Sequence, residues 1–169
     1  MIRNFLFSLF FFSGIILISL IFIPAIFLPK RIVLFGGKIM GYWTSFCLQF
    51  FLSTKIIIKG KENIIENKKF FIASSHQSMF ETFFLQTIFD SPAFILKKEL
   101  LIIPVFGWYL KKIGSISIKR NKISKENLGF FDDISKHINS SDRPLIIFPQ
   151  GTRLPPKDRT PFKKGSSRI

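Results

Sequence analysis

His76 and Glu81 are the residues best suited to acid–base chemistry, because they combine an imidazole and a carboxylate in the pattern H-x4-E. Five steps along one helix rotate by about 500°, so the two side chains meet only if His76 precedes the helix that carries Glu81. An imidazole has an ordinary pKa of about 6.5 and accepts a proton at neutral pH, while a carboxylate can orient it. Residues 78–81 (SMFE) also fit a capping box, so a purely structural role for both side chains stays open.

Residues 148–153 (FPQGTR) offer groups that bind an anion. Gly151 permits a tight turn in which backbone N–H groups approach a ligand. Thr152 adds a hydroxyl, and Arg153 adds a planar fork that matches phosphate. Arg120 is a similar candidate, because arginine is the minority cation in this chain, at seven of 25 basic residues. The alternative is an ordinary turn at the end of a strand.

Covalent catalysis lacks a candidate nucleophile in this sequence. Cys47 is the single cysteine and lies in the apolar amino-terminal part, and there is no G-x-S-x-G motif. A single cysteine also excludes a disulfide framework, and only His76 and His137 accompany it as potential zinc ligands. We therefore expect a substrate hydroxyl to be the attacking group, with no metal involved.

An alternation of short apolar runs and longer amphipathic segments must position these residues. We predict strands at residues 55–59, 70–73, 93–96, 115–119 and 145–148, and helical segments at residues 78–89, 98–112 and 124–138, the second of them broken at Pro104. This order predicts an α/β fold with a mostly parallel sheet flanked by helices. Ligands bind beyond the carboxyl ends of such strands, where His76, Arg120 and residues 150–153 would converge.

The amino-terminal part has a different composition. Residues 1–52 contain four basic and no acidic residues, and residues 5–28 carry no charge. A helix of that length can cross a hydrocarbon core of about 30 Å, and the run is longer than the apolar part of a signal peptide, the alternative. We predict a membrane-anchoring helical segment over residues 1–52, followed by a catalytic domain over residues 53–169.

The second apolar segment, residues 32–52, is less hydrophobic and contains Lys38 and three glycines. A second span, a helix lying against the same leaflet and a buried helix of the following domain all fit this composition. The net charge of +15 favours an anionic membrane surface as a partner. The charge also fits a nucleic-acid binder, but the long uncharged run argues against nucleic acid.

The order and spacing of four blocks resemble the glycerolipid acyltransferase family, especially its bacterial members that act on 1-acylglycerol-3-phosphate. The resemblance covers residues 55–165. The blocks are residues 75–81 (the family's H-x4-D), 98–107 (a lysine-containing connection), 114–120 (a block ending in arginine) and 148–153 (F-P-E-G-T-R).

This resemblance implies transfer of a fatty acyl group from acyl-CoA or acyl carrier protein to the 2-hydroxyl of lysophosphatidic acid, giving phosphatidic acid for phospholipid biosynthesis. It implies that His76 is the base and Glu81 the carboxylate that orients it. The implied substrate-binding residues are Arg120, Gln150, Gly151, Thr152 and Arg153. No cofactor besides the acyl donor is implied, and the implied location is the bacterial inner membrane, with the catalytic domain on its cytoplasmic face.

Three departures from the family pattern bear on these expectations. Glu81 replaces the usual Asp, which keeps the carboxylate and changes only its reach. Gln150 replaces the usual Glu, which removes a charge but keeps hydrogen bonding. The sequence stops at Ile169, before a further strand of the family, so we expect the catalytic domain to be incomplete at its carboxyl end.

Other functions fit parts of the sequence. The late acyltransferases of lipid A synthesis share H-x4-E but do not explain residues 148–153. An acyltransferase for another lyso-lipid, such as a lyso-ornithine lipid, fits all four blocks. A non-catalytic basic protein of the membrane surface fits the charge and Gln150, while the His76–Glu81 pair argues against it.

Overall fold

A computed structural model of the chain describes residues 1–64, 70–119, 129–155, 157–158 and 160–163. The helices are α1 (Ile2–Ile21), α2 (Lys30–Leu52), α3 (Phe80–Ile88), α4 (Phe106–Lys112) and α5 (Phe130–Ser140). The strands are β1 (Phe71–Ala73), β2 (Ala93–Lys97), β3 (Ile116–Ile118) and β4 (Leu145–Ile147). Short 3₁₀ helices cover Ile23–Phe27, Lys61–Asn63 and Lys98–Ile102.

The described strands form one parallel sheet in the order β1-β4-β2-β3, which confirms the predicted fold class. The central strand β4 is buried along its whole length, with Leu145 2% and Ile146 0% exposed. Such continuous aliphatic runs are typical of parallel strands that are covered on both faces. Because β1 and β4 are neighbours, the loops that follow them lie side by side.

The helices α1 and α2 form a hairpin that packs along the α/β domain. Ala25, in the turn of the hairpin, is buried with Tyr109 and Leu110 of α4. Near the middle of the hairpin, Met40 of α2 is buried with Phe83 of α3. Among the described residues, α1 is the helix long and apolar enough to cross a membrane, with 20 residues and a mean hydropathy of 2.3.

One predicted element differs from the structure. Residues 55–59 are not a strand: no described strand pairs with them, and Ile57 and Ile58 are 62% and 49% exposed. A β-branched run favours a strand only where a neighbouring strand accepts its hydrogen bonds. The helical region 98–112 divides at Pro104, as predicted, into a 3₁₀ helix and α4. The last predicted helix corresponds to α5, and its predicted start at residues 124–128 lies outside the described residues.

Candidate active site

His76 and Glu81 lie against each other where β1 leads into α3. His76 is in the loop after β1, and Glu81 is in the first turn of α3. The Nδ1 atom of His76 is 3.4 Å from Oε1 of Glu81, and only 12% and 14% of the two side chains are exposed. The sequence predicted this arrangement because the pair can meet only across the junction of a loop and a helix.

Glu81 also holds the loop that carries His76. Its Oε1 accepts hydrogen bonds from the backbone N–H groups of Gln77 and Ser78, the second at 2.7 Å. Its Oε2 accepts from the Ser78 hydroxyl at 2.7 Å, and that hydroxyl oxygen accepts from the Phe80 N–H at 2.9 Å. The predicted capping box is therefore present in part. Glu81 accepts from the Ser78 N–H, but the Ser78 hydroxyl accepts from Phe80 and not from the Glu81 N–H, and α3 begins at Phe80 with Met79 as its N-cap. Glu81 thus fixes the segment that enters the helix and contacts the imidazole as well.

The capping bonds keep Glu81 ionised. Burial opposes the charge, but the backbone and side-chain hydrogen bonds outweigh it, so the pKa of Glu81 is lowered from its ordinary value. A negative carboxylate beside Nδ1 favours the tautomer with a proton on Nδ1. The Nε2 atom is then the proton acceptor.

The loop after β4 holds His76 from its other side. The ring of Phe148 stacks on the imidazole with 4.3 Å between centroids and 28° between planes. The N–H of Leu154 donates to the carbonyl oxygen of His76 at 2.9 Å, and the N–H of Ser74 donates to Ile147 at 2.9 Å. The two loops that the sequence identified as chemical blocks therefore meet at the carboxyl ends of adjacent strands.

Residues 149–153 form the turn predicted to bind an anion. Gly151 has a φ of +69°, a left-handed conformation that favours glycine. Its own N–H donates to the Phe148 carbonyl at 2.9 Å, so this amide serves the turn and not a ligand. The side-chain amide nitrogen Nε2 of Gln150 donates to the Ser75 hydroxyl at 3.3 Å, which links the turn to the histidine loop. Thr152 and Arg153 are exposed.

An apolar cavity of about 600 Å³ opens beside this site. Its walls come from α1, α2, α3, β2, the 3₁₀ helix after β2, and α4, and they are mostly aliphatic and aromatic. His76, Lys97 and Arg153 are polar residues that line it. The cavity is therefore an apolar space, walled partly by the amino-terminal hairpin, that is also lined by the imidazole and two cationic residues.

Two lysines belong to this region although the sequence analysis did not place them in the site. Lys97, at the end of β2, lines the cavity and lies 3.6 Å from Glu99. Lys163 is held by its N–H bond to Pro149 at 3.0 Å, and its aliphatic stem lies over Gly151. The position of Lys97 at the end of a predicted strand could have identified it as a site residue. Lys163 contacts residues 149–151 only because the chain turns back, and its distance along the sequence does not reveal this contact. Arg120, the remaining predicted substrate-binding residue, lies outside the described residues.

Comparison with known proteins gives concordant results. The model of the acyltransferase family matches residues 55–169. A 1-acyl-sn-glycerol-3-phosphate acyltransferase of Pseudomonas aeruginosa is 37% identical over 114 residues, which cover 66% of this chain and 43% of that protein. The protein of that name from Saccharomyces cerevisiae is 28% identical over 141 residues, 79% of this chain and 46% of its own length. The chain thus spans less than half the length of these relatives.

A solved structure is also similar. The crystal structure of the 1-acyl-sn-glycerophosphate acyltransferase of Thermotoga maritima matches with a TM-score of 0.73 and 25% sequence identity. The match covers 98% of this chain and 68% of that one. The similarity therefore includes the amino-terminal hairpin as well as the α/β domain.

Proposed function

Because the chain belongs to the acyltransferase family, as its motifs had indicated, we propose that it transfers a fatty acyl group to the 2-hydroxyl of lysophosphatidic acid, forming phosphatidic acid. The observation that carries this proposal is the His76–Glu81 pair, whose histidine lines an apolar cavity of about 600 Å³. The activity for which the relatives are named, acylation of 1-acyl-sn-glycerol-3-phosphate, agrees with this chemistry.

The reaction begins with proton removal. Nε2 of His76 takes the proton of the acceptor's 2-hydroxyl, while Glu81 stabilises the imidazolium that forms. The hydroxyl oxygen attacks the thioester carbonyl carbon of acyl-CoA or acyl carrier protein and forms a new C–O bond. The C–S bond then breaks, and the leaving thiolate takes the proton from the imidazolium. No side chain becomes acylated, and no metal or further cofactor takes part in this scheme.

The two ends of the substrates need different surroundings. The cavity accepts an acyl chain, because its walls are apolar and it reaches the histidine. Thr152 and Arg153, together with Arg120 and Gln150, bind the glycerol phosphate of the acceptor. Gly151 contributes the turn that presents them.

We also propose that the hairpin lies in one leaflet and does not cross the membrane. The hairpin turn packs on α4 and its middle packs on α3, so both parts follow the surface of the catalytic domain. The hydroxyl of Tyr109 on α4 donates to the carbonyl of Ser19 on α1, which adds a polar tie along this contact. Large apolar side chains, among them Phe35, Phe46 and Phe50, face outward from α2 and are available to lipid. The catalytic domain would lie at the cytoplasmic face of a bacterial inner membrane.

An assay of membranes that contain the chain tests the proposed activity. Lysophosphatidic acid and labelled acyl-CoA are supplied, and labelled phosphatidic acid is the expected product. Arg153→Ala should raise the KM for lysophosphatidic acid about tenfold or more, since it removes a charge-assisted contact, and should change kcat less. Absence of product with acyl-CoA and with acyl carrier protein as donors would contradict the proposal.

A further inference from the structure

His76 and Glu81 have anchors on different elements in addition to the loop bonds that join them. His76 is tied to the sheet side by its stack on Phe148 and by the hydrogen bond from Leu154. Glu81 lies in the first turn of α3 and also accepts hydrogen bonds from the backbone of Gln77 and Ser78. The separation of the two side chains therefore depends on where α3 lies relative to the sheet as well as on the histidine loop.

The position of α3 is set by a close contact with α2. A Cβ atom built on Gly41 would lie 2.6 Å from the backbone carbonyl oxygen of Phe83 and 2.5 Å from Cγ2 of Thr87. Real Cβ atoms do not approach other atoms so closely, and a backbone carbonyl cannot rotate away as a side chain can. Phe83 is two residues beyond Glu81 on the same short helix, and its side chain is only 7% exposed.

We infer that Gly41 is a positioning residue for the His76–Glu81 pair. Because Gly41 has no side chain, α2 and α3 approach each other closely enough for Glu81 to lie against His76. The membrane-associated hairpin is then part of the catalytic apparatus as well as an anchor. This inference rests on the proposed acyltransferase activity.

Alanine substitutions at three glycines give a series in which the steric effect of the added methyl group decreases. In Gly41→Ala the added methyl meets backbone, so α3 must move, and kcat should fall about tenfold to a hundredfold. In Gly37→Ala the added methyl meets the end of the flexible Gln86 side chain, so kcat should fall less. In the control Gly129→Ala the added methyl meets nothing within 4 Å, and kcat should stay near the wild-type value. The KM for lysophosphatidic acid should change little in all three.

A double-mutant cycle with Glu81 distinguishes an effect of Gly41 on the position of Glu81 from a reduced amount of folded protein. Gly41→Ala is combined with Glu81→Asp, which keeps a carboxylate of shorter reach, and the four kcat values form a double-mutant cycle. We expect the cost of Gly41→Ala to differ at least fivefold between the two backgrounds. A folding defect alone would reduce the activity by the same factor in both.

Two further measurements keep the outcomes distinct. If Gly41→Ala does not fold, the same cycle is run with Gly37→Ala, whose kcat should recover in the double variant Gly37→Ala/Gln86→Ala. Equal factors in the cycle, or wild-type kcat in folded Gly41→Ala, would overturn the inference while the proposed function stands. A wild-type chain without turnover would contradict the proposed function, and this inference with it.

Discussion

At the residue scale, Glu81 connects the chemistry of the site with its architecture. The same carboxylate accepts the amide hydrogens of the histidine loop and lies 3.4 Å from the imidazole. The sequence suggested both a helix cap and a histidine–carboxylate pair, and the contacts of Glu81 fit both, while the catalytic role of the pair stays a prediction. A local motif of seven residues was enough to predict them, because all of these bonds lie between near neighbours in the chain.

Acid should remove the stability that Glu81 contributes. Because folding lowers the pKa of Glu81, the ionised carboxylate adds stability above the ordinary carboxyl pKa of about 4.3, and this contribution is lost as the pH falls through the lowered value. Urea unfolding of the wild-type chain and of Glu81→Gln, measured from pH 7 to pH 3, should show a gap in midpoint that narrows with acid. A gap that widens with acid would contradict the ionised cap.

Lys163 should strengthen binding of the acceptor phosphate. Its stem lies over Gly151, in the turn that we propose binds the phosphate. Lys163→Gln should raise the KM for lysophosphatidic acid about threefold to tenfold, as expected for an exposed ionic contact. The exposed Lys157, on the same stretch of chain, provides the control Lys157→Gln. An equal effect of both substitutions would indicate general attraction of the anionic lipid and not a specific contact.

At the element scale, Arg143 joins the amino ends of the strands, opposite the active site. Its guanidinium donates to the carbonyls of Ser91 and Ile113 at 2.6 Å and of Pro92 at 3.1 Å. Burial lowers the pKa of this arginine, and the charge of Asp90 opposes that shift. Sequence patterns predicted the strands but not this contact, because its partners are backbone carbonyls 30 to 52 positions away.

Arg143→Ala should destabilise the fold without acting directly on the site. The substitution leaves three carbonyl groups without their donor. We expect it to lower the free energy of unfolding by about 3 kcal/mol or more. Thermal unfolding in detergent should show the lower stability, while the KM of the folded enzyme stays near the wild-type value. Lys136→Ala on the exposed face of α5 is the control and should change stability by less than about 0.5 kcal/mol. A loss of stability in Arg143→Ala as small as that in Lys136→Ala would contradict the structural role of this arginine.

The strand predictions illustrate what limits reading elements from sequence. The runs at β1, β2, β3 and β4 were predicted within two residues of their ends, because each is short, apolar and followed by polar residues. Residues 55–59 have a similar composition, but no described strand pairs with them. A strand is completed by its neighbour, and a pattern in one segment does not identify that neighbour.

At the scale of the whole molecule, the amino-terminal hairpin packs along the α/β domain, and we propose that it attaches this domain to the membrane. Composition predicted both apolar segments but left open whether the second spans the bilayer, lies on it or packs in the domain. The placement of the hairpin depends on long-range contacts of Ala25 and Met40 with the domain, and a local sequence pattern does not predict such contacts.

The proposed arrangement in one leaflet is tested with single-cysteine variants. In a Cys47→Ala background, Lys30→Cys marks the end of the hairpin turn and Lys157→Cys marks the catalytic domain. A membrane-impermeant maleimide added to sealed vesicles should label both positions from the same side. Labelling of Lys30→Cys only after permeabilisation, in vesicles where Lys157→Cys already reacts, would show that α1 crosses the bilayer.

The central claim is that His76 is the base for acyl transfer to lysophosphatidic acid. Membranes with equal amounts of wild-type chain and His76→Ala are supplied with lysophosphatidic acid and labelled acyl donor, and phosphatidic acid is measured over time. The wild-type chain should form phosphatidic acid, and the variant should lose activity by about a hundredfold or more. Formation of phosphatidic acid at an undiminished rate by His76→Ala would contradict the account.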